Sequence, residues 1–529
     1  MNRITCVTTG LLALAACGLD DAELEISDTT TASAALTAQP TTVYNLAGRT
    51  SPAAAATAVN IDTRLTITFD AAPVLGSSGT VQIVRKTDDA VVDTINLARE
   101  TDTIGFPGQD RVRIVNVDRL VSISGNTATV VPHHAKLAYG TVYYVVIAKG
   151  AFTGVALNGT PFTGIGRAGN WSFTTKPAPS ASLTSLTVND DGTADFRTVQ
   201  GAIDHLTKNI AKDVAVTINV RNGTYPELLF VRGKNNLSIV GESRAGVIIQ
   251  YRNYEALNTG SGQAQAAGSA TPTGGRAVLL AEGVDLLTLN NLTIKNTMLR
   301  STTLSSQAET LYFNNDAGRL VAKNSNFLSE QDTIQLRGYA WFFNSLIAGN
   351  VDFIWGSNRV SLFENCEIRS LGDTANASSG GFVVQARSVS AADKGFVFLN
   401  SKLTHGKGPG PRAGDVPTGA GAASYLARSP GTTSSVDNVA FVNCQMDTHI
   451  IPVGWAYHVA GQPVPNPAVA TAASGWRERG TTNLGGAPLN LASRVGGHLL
   501  TDSEVAGGFS SRAQILSRFG GGAGWNPVP

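Results

Sequence analysis

The chain has 529 residues, enough for two or three domains that each bury a core without metals or cross-links. Its 40 Lys and Arg residues nearly balance 39 Asp and Glu, and no basic stripe stands out, so a nucleic-acid partner is not expected. Only 15% of the residues are charged and 56 are glycine, a composition common in exported β-rich proteins with many tight turns.

The N-terminus is typical of an export signal. Arg3 is followed by an apolar run over residues 4–16, which is too short to span a bilayer comfortably. The run ends in LAAC, which resembles the bacterial lipobox whose cysteine, here Cys17, is lipidated after cleavage. We expect 1–17 to be a lipoprotein signal and 18–42 a flexible tether. The protein would then be an outer-membrane or cell-surface lipoprotein that touches the membrane through its lipid alone; ordinary secretion is the alternative.

Short alternating apolar runs separated by turns fill residues 43–176. The runs lie at 65–70, 81–84, 128–131, 142–147 and 171–174. Alternation over such short runs predicts an antiparallel β-sandwich. The segment resembles the bacterial Ig-like domains, with LTITFD near its start and WSFTTK at its end. Residues 177–184, rich in Pro, Ala and Ser, are expected to form a linker.

Beyond residue 185 one phrase recurs: an asparagine, a small or apolar residue, a variable position and an apolar residue. The asparagines are Asn236, Asn291, Asn324, Asn344, Asn365, Asn400 and Asn443. Their unequal spacing is expected if each coil of a solenoid keeps its strands and varies its loops. The repeat predicts an all-β domain over 185–529, a right-handed parallel β-helix with asparagines stacked at one turn and apolar side chains filling the bore. Asn-rich turns in an ordinary sandwich are the alternative.

Cys366 and Cys444 occupy the same slot of the repeat, but the coil that contains Ser401 lies between them. Two rungs of about 4.8 Å separate their Cα atoms by roughly 9 to 10 Å. That distance is too long for a disulfide, so we expect two buried free thiols. Neither cysteine belongs to a CxxC pair, which excludes a cysteine-rich zinc site; we expect no metal and no other cofactor.

Asp332 and Asp352 each lie eight residues after a repeat asparagine and should therefore stack on adjacent rungs. Two carboxylates about 5 Å apart cannot both ionise comfortably. One should remain protonated as an acid while the other serves as nucleophile or base. Such a pair suits the cleavage of an ester or a glycoside. Spacing alone equally allows two solvated loop aspartates.

Six elements between about 185 and 527 occur in the order found in the pectin methylesterase family. They are DGTADFRTVQ at 191–200, GTYPE at 223–227, QA at 307–308, QDT at 331–333, GNVDFIWG at 349–356, and YLAR at 425–428 followed by GW at 454–455. Each element alone is weak, but their common order makes the resemblance specific. It implies a pectin-lyase-like β-helix and an enzyme, a pectinesterase that hydrolyses methyl esters of polygalacturonate. We expect a monomer whose partner is the homogalacturonan chain of pectin.

The resemblance also implies a role for each polar residue. Asp352 attacks the carboxymethyl carbonyl to form an acyl-enzyme, while Asp332 protonates the departing methanol and then activates water. Gln307 stabilises the oxyanion with the assistance of Gln331. Arg428 holds Asp352 ionised and oriented through a charge-assisted fork. Without the resemblance, the arginine reads as a surface loop residue and the glutamines as a polar ladder.

The sequence departs from the family near the substrate. The family phrase LGRPW is LARSP at 426–430, so its tryptophan is absent, and VDFIFG has become VDFIWG. The candidate substrate-binding aromatics are Tyr225, Tyr312, Trp355 and Trp455. Loops rich in Gly and Ala at 257–275 and 404–424 are expected to flank the cleft.

Two other functions stay open. The missing tryptophan leaves room for an esterase or thioesterase of the same fold that acts on a non-pectin ester, because a fold does not fix function. A non-catalytic surface polysaccharide-binding protein is the other, although the retained acid pair, arginine and glutamines argue against it. A lyase is not favoured, since no cluster of acids suggests a calcium site, and the sequence has no GxSxG phrase of a serine hydrolase.

Overall fold

A computed structural model describes residues 39–376, 380–411, 413–458 and 460–529. The predicted signal at 1–17, its lipidation site Cys17 and most of the predicted tether lie outside the described residues. The described chain contains the α-helices Val199–Asn209, Asp502–Gly508 and Arg512–Ile515 and the 3-10 helices Arg167–Gly169, Gly419–Gly421, Ala456–His458 and Phe519–Gly522. Within these ranges, helices long and apolar enough to cross a membrane are absent.

The N-terminal domain is a sandwich of two main sheets. One sheet contains Thr50–Ser51, Leu65–Thr68, Val121–Ser124 and Thr127–Val130. The other contains Ala56–Val59, Thr80–Arg85, Val91–Asn96, Val142–Ile147 and Ser172–Thr175. Short antiparallel pairs join Val74–Leu75 to Phe152–Thr153 and Ala156–Leu157 to Thr160–Pro161. Alternate side chains such as Leu65 and Ile67 are buried between the sheets, which confirms the predicted sandwich.

The C-terminal domain is a β-helix of three parallel sheets, designated A, B and C. Sheet A contains Ser185–Val188, Val216–Val220, Leu237–Gly241, Leu287–Asn290, Arg319–Lys323, Gly338–Phe343, Asn358–Glu364, Gly395–Leu399, Val439–Val442, Trp476–Arg479 and His498–Leu499. Sheet B contains Gly223–Tyr225, Val247–Tyr251, Thr293–Asn296, Asn326–Leu328, Leu346–Gly349, Glu367–Leu371, Lys402–Gly406, Gln445–Met446 and Thr482–Asn483. Sheet C contains Leu229–Val231, Leu279–Glu282, Leu311–Asn314, Ile334–Leu336, Val351–Gly356, Phe382–Ala386 and Tyr425–Ala427. Each strand pairs in parallel with the strand of the next coil, which confirms the predicted parallel β-helix.

Six of the seven repeated asparagines form the turn between sheets A and B, whereas Asn236 precedes the sheet A strand Leu237–Gly241, so its predicted place in the same stack was wrong. All seven asparagines have positive φ angles, between 46° and 58°. This left-handed region is costly for most side chains and is tolerated by asparagine. Asn344 Nδ2 donates to Asn324 Oδ1 of the preceding coil at 2.8 Å. The repeat therefore combines a backbone requirement with hydrogen bonds along the helix axis.

Apolar side chains fill the bore of the β-helix. Four phenylalanines stack on successive coils at ring-centroid distances of 4.5 to 4.7 Å: Phe342, Phe363, Phe398 and Phe441. Cys366 and Cys444 are buried free thiols, as predicted, and burial raises the pKa of each to about 12. Ser401 lies between them, since its hydroxyl accepts from the Cys366 amide at 3.1 Å.

Helix Val199–Asn209 packs its apolar face against the first coils of the β-helix. Glu227 accepts hydrogen bonds from the first two amides of this helix at 2.9 Å each. Asp62 of the sandwich accepts from the Thr198 amide at 2.7 Å. Carboxylates stabilise a helix N-terminus because its free amides carry partial positive charge. The phrases at 191–200 and 223–227 therefore build the start of the domain.

The sandwich is in direct contact with sheet C. Phe230, Leu280 and Tyr312, on the outer face of that sheet, belong to the buried apolar cluster of the sandwich. A three-stranded sheet crosses the boundary and contains Glu100–Ile104, Arg111–Val117 and Gln265–Ala266. Part of the loop at 257–275, which was expected to flank the cleft, pairs with the sandwich through Gln265–Ala266, and its Gly260 carbonyl accepts from the Arg276 amide at 3.1 Å.

Candidate active site

The two predicted aspartates lie on adjacent coils at the start of sheet C strands. The Asp332 amide donates to the Val351 carbonyl at 3.0 Å, and Gln331 pairs in parallel with Val351. Asp332 and Asp352 therefore occupy equivalent places one rung apart, as their spacing predicts. Their φ angles of 60° and 50° are unusual for aspartate, and such backbone conformations concentrate at functional sites. Both side chains are buried.

Three N–H donors bind the Asp352 carboxylate. Arg428 Nε donates to Oδ1 at 2.8 Å and Arg428 Nη2 donates to Oδ2, which forms a two-pronged fork. Gln385 Nε2 donates to Oδ2 at 3.0 Å, and Arg387 Nη2 donates to the Gln385 amide oxygen at 2.7 Å. The Arg428 guanidinium also lies over the Phe382 ring, 4.6 Å from its centroid. This arrangement fixes the orientation of the Asp352 carboxylate.

Asp332 has a different environment, because it shares a single guanidinium with two glutamates. Arg276 Nη2 donates to Asp332 Oδ2 at 3.0 Å, Arg276 Nε donates to Glu309 at 2.8 Å, and Arg276 Nη1 donates to Glu255. Burial and then the Glu309 charge raise the pKa of Asp332 well above its usual value, although Arg276 opposes them. Burial also raises the pKa of Glu309. Of the two stacked aspartates, Asp332 is the one suited to hold a proton.

The two predicted glutamines lie on successive coils beside the aspartates. The Ala308 amide, next to Gln307, donates to the Gln331 carbonyl at 3.2 Å. Both glutamine side chains are partly exposed. Within the described ranges, the buried Oε1 of Gln307 has no hydrogen-bond partner. Amide groups at this position suit the stabilisation of an oxyanion that forms beside Asp352.

A column of side chains runs along the outer face of sheet C. In register on successive coils it contains Phe230, Leu280, Tyr312, Gln335, Trp355 and Gln385. The sandwich covers the first three members, and the last one binds Asp352. Trp355 is only 8% exposed, with the guanidinium groups of Arg387 and Arg276 lying 5.0 and 5.9 Å from its ring centroid. Trp355 is therefore the one candidate aromatic that the structure places at the site.

The other three candidate aromatics are buried in packing roles, and a sugar cannot stack on them. Tyr225 is 0% exposed and its hydroxyl donates to the Arg221 carbonyl at 2.7 Å. Tyr312 lies beneath the sandwich. Trp455 is 1% exposed and stacks on Trp476 with the ring centroids 5.3 Å apart. These predictions were wrong because Tyr225 and Trp455 pack in the core of the β-helix, and because the repeat pattern does not show that the sandwich covers Tyr312.

Sequence reasoning missed an aromatic pair beside Arg428. The rings of Phe382 and Tyr425 stack with centroids 5.5 Å apart, on neighbouring strands of sheet C, and both are partly exposed. Tyr425 follows directly on the loop at 404–424. Phe382 lies outside every family phrase, and Tyr425 belongs to the YLAR phrase, in which the resemblance implies a role for the arginine alone.

The charged residues around Asp332 were also missed. Arg276 lies in a glycine-rich stretch that has no periodic signal. Glu309 stands at the start of the apolar run TLYF, two residues after Gln307, and is 0% exposed. A carboxylate at the edge of an apolar strand requires a partner when it is buried. Glu309 could therefore have indicated a buried charged group near Gln307.

The fold and the site define a β-helical enzyme in which one carboxylate is held by an arginine fork and its neighbour is a buried acid. The family profile described as Pectinesterase matches residues 185–465, and the profile described as Bacterial Ig-like domain matches residues 40–175. The chain therefore belongs to the pectinesterase family, and its Ig-like domain precedes the family domain.

The chain is similar to several named pectinesterases. Pectinesterase A of Dickeya dadantii is 29% identical over 301 residues, which cover 52% of this chain and 76% of that protein. Probable pectinesterase/pectinesterase inhibitor 64 of Arabidopsis thaliana is 27% identical over 285 residues, and the match covers 52% of this chain but only 43% of that longer relative. The solved structure of pectin methylesterase PemA from Erwinia chrysanthemi is 24% identical, with coverage of 66% of this chain and 99% of that chain and a TM-score of 0.49.

Proposed function

We propose that the protein hydrolyses methyl esters of polygalacturonate to pectate and methanol, with an aspartate nucleophile. The observation that carries the proposal is the unequal environment of two stacked aspartates. Asp352 is bound by the Arg428 fork, whereas Asp332 is a buried acid one rung away. Family membership supports the choice of a methyl ester of pectin as the substrate.

In the first step, an Asp352 oxygen attacks the ester carbonyl carbon. The negative charge that develops on the carbonyl oxygen is stabilised by the Gln307 and Gln331 amides, a contribution of about 3 kcal/mol for one such donor. The bond from carbon to the methoxy oxygen then breaks, and Asp332 gives its proton to that oxygen. Methanol leaves, and an anhydride joins the substrate to Asp352.

In the second step, Asp332 is a carboxylate and accepts a proton from water. The oxygen of this water forms a bond to the substrate carbonyl carbon, and the bond to Asp352 breaks. Arg428 stabilises the released Asp352 carboxylate, and Arg276 stabilises Asp332 while it is charged. Both aspartates end as they began, because the acid of the first step is the base of the second.

The stacked rings of Phe382 and Tyr425 supply an aromatic surface next to Arg428. They offer a substitute for the tryptophan that the family carries in its LGRPW phrase and that is Pro430 here. A substituted aromatic surface equally suits a different ester on the same catalytic residues. The choice between pectin and another ester therefore depends on a direct assay.

The test is methanol release from highly methylated pectin by the protein that lacks residues 1–17. Asp352→Asn should abolish release and Asp332→Asn should nearly abolish it, while both variants keep the parent's circular dichroism spectrum. Asp316→Asn is the matched control, because this exposed carboxylate pairs with Arg337 on the same domain. A folded parent that releases no methanol would reject pectin and leave other esters to be tried. Full activity in Asp352→Asn would reject the nucleophile.

We also propose that Cys17 anchors the protein to a membrane through a lipid. The support is the LAAC phrase at 14–17 after an apolar run. Cys17→Ala in the full chain should move the protein from the membrane fraction to the soluble fraction, without changing methanol release. Equal fractionation of the parent and the variant would favour ordinary secretion.

A further inference from the structure

Arg113 of the Ig-like domain is fully buried at the boundary with the β-helix. Its guanidinium donates only to backbone carbonyls of the β-helix domain, at 2.5 to 3.2 Å: those of Leu229, Gly274, Gly275, Ala277 and Val278. Burial lowers the pKa of Arg113 to about 9. Among the described residues, no carboxylate forms an ion pair with it.

Four of these five carbonyls lie in the segment 274–278, and the residue at its centre is Arg276. The same segment is held by the Gly274 amide, which donates to the Ile114 carbonyl at 2.9 Å, and by the Val278 amide, which donates to the Glu309 carbonyl at 3.0 Å. The side chain of Arg276 extends from this segment to Asp332 and Glu309. A continuous chain of contacts therefore joins the Ig-like domain to the catalytic acid.

Burial of an arginine without a carboxylate is costly, and apolar packing such as that of Phe230 and Leu280 can hold two domains together at lower cost. The guanidinium adds a fixed arrangement of hydrogen bonds. Its five N–H groups form a rigid planar fork, which fixes several carbonyls in one arrangement. Arg113 therefore restricts the backbone on both sides of Arg276.

We propose that Arg113 is a positioning residue for the esterase reaction: it fixes the segment 274–278 so that Arg276 reaches Asp332. The Ig-like domain is then a working part of the active site, in addition to any role as a spacer. This inference rests on the proposed role of Asp332 as the acid.

The consequences for catalysis follow from the charges that face Asp332, which are Arg276, Glu309, Asp352 and Arg428. If Arg276 moves away, Asp332 loses a positive neighbour and its pKa rises further. The first step needs Asp332 protonated, so the basic limb of the profile of kcat against pH should move to higher pH. KM should change little, because the Arg113 side chain is fully buried at the boundary between the two domains and has no exposed surface for the substrate to contact.

The test is a double-mutant cycle of Arg113→Gln and Arg276→Gln, with methanol release from pectin measured across pH. Arg113→Gln should lower kcat by about 10- to 100-fold, as supporting residues behind an active site do. Arg113→Lys should recover part of the loss. If Arg113 acts through Arg276, the double variant should be within about twofold of Arg276→Gln alone. Fold-losses that multiply would overturn the proposal.

Arg477 provides the matched control. It is 1% exposed, binds only backbone carbonyls, and has its pKa lowered to about 9 by burial, but it lies on sheet A. Arg477→Gln should lower Tm as Arg113→Gln does and leave the pH profile of kcat unchanged. An equal shift of the profile in both variants would show a general loss of stability and reject positioning.

Two further measurements test the positioning role of Arg113 even if Arg113→Gln folds poorly or the parent does not act on pectin. Gly274→Ala keeps Arg113, but the added Cβ would lie 2.5 Å from the Ile114 carbonyl oxygen, so the segment must shift. It should reproduce the altered pH profile. Amide hydrogen exchange at 274–278 should be faster in Arg113→Gln than in Arg477→Gln, whatever the substrate. Unchanged exchange would reject the positioning role, whereas inactivity of the parent rejects only the pectin assignment.

Discussion

Replacement of Arg428 by lysine tests how much the two-bonded geometry of the fork contributes to catalysis, because the positive charge is retained. Arg428 makes two bonds to Asp352, one to each oxygen, and its planar group lies over Phe382. Lysine keeps the positive charge but offers a single nitrogen, so at least one charge-assisted bond is lost. Such a bond is worth about 1.5 to 3 kcal/mol. At about 1.4 kcal/mol for each tenfold in rate, kcat should fall by about 10- to 100-fold.

Arg428→Gln removes the charge as well and leaves Asp352 buried with Gln385 as its remaining side-chain partner among the described residues. Both charge-assisted bonds are lost, at about 1.5 to 3 kcal/mol each, so the loss in kcat should reach at least about a hundredfold. The order of activity is therefore parent, lysine variant, glutamine variant. KM should change by less than about threefold, because the fork binds the nucleophile and not the substrate.

The assay is initial-rate methanol release over a range of pectin concentrations that reaches saturation. Arg369→Lys is the control: Arg369 Nε and Nη2 both donate to one oxygen of Glu367 on sheet B, where the arginine side chain is 38% exposed. That change should leave kcat unaltered, since exposed pairs contribute little. If Arg428→Lys keeps kcat within about twofold of the parent, the fork does not orient the nucleophile and the reasoning fails.

Three further outcomes follow from the same contacts. Glu309→Gln removes a negative charge beside Asp332, so the pKa of Asp332 should fall and the basic limb of kcat should move to lower pH; an upward shift would contradict the arrangement. The Cys366 and Cys444 thiols should not react with a disulfide reagent in the native protein lacking residues 1–17, and both should react after unfolding. Asn344→Ala forces alanine to a φ of 46°, so denaturant titration should show a loss of about 1 to 2 kcal/mol, and Asn344→Gly should lose less.

The coils of the β-helix could be predicted because the fold repeats a backbone requirement. The turn between sheets A and B needs a residue that tolerates a left-handed φ, and asparagine fills that place six times. Counting eight residues onward from Asn324 and Asn344 then places Asp332 and Asp352 on neighbouring rungs. The same register separates Cys366 from Cys444 by an intervening coil, which is why the free thiols could also be predicted.

The register of the coils does not indicate which other part of the chain packs on the outer face of each strand. Tyr312 and Trp355 occupy the same outer column of sheet C, two rungs apart, yet the sandwich covers only the first. Arg276 likewise lies outside any strand, and carbonyls on both sides of it accept hydrogen bonds from Arg113 of the other domain. Contacts of this kind join distant parts of the chain, so neither local propensity nor the repeat period indicates them.

The assignment of acid and nucleophile therefore rests on the partners of each aspartate and not on the pair as such. Asp352 has a guanidinium that binds both of its oxygens and an amide that adds a third bond. Asp332 has one nitrogen of a guanidinium that also binds two glutamates, so less positive charge is available to each of three carboxylates. When two close carboxylates compete for one proton, the proton stays on the one with the weaker stabilisation of its charged form. That carboxylate is Asp332, which is why we propose Asp352 as the nucleophile.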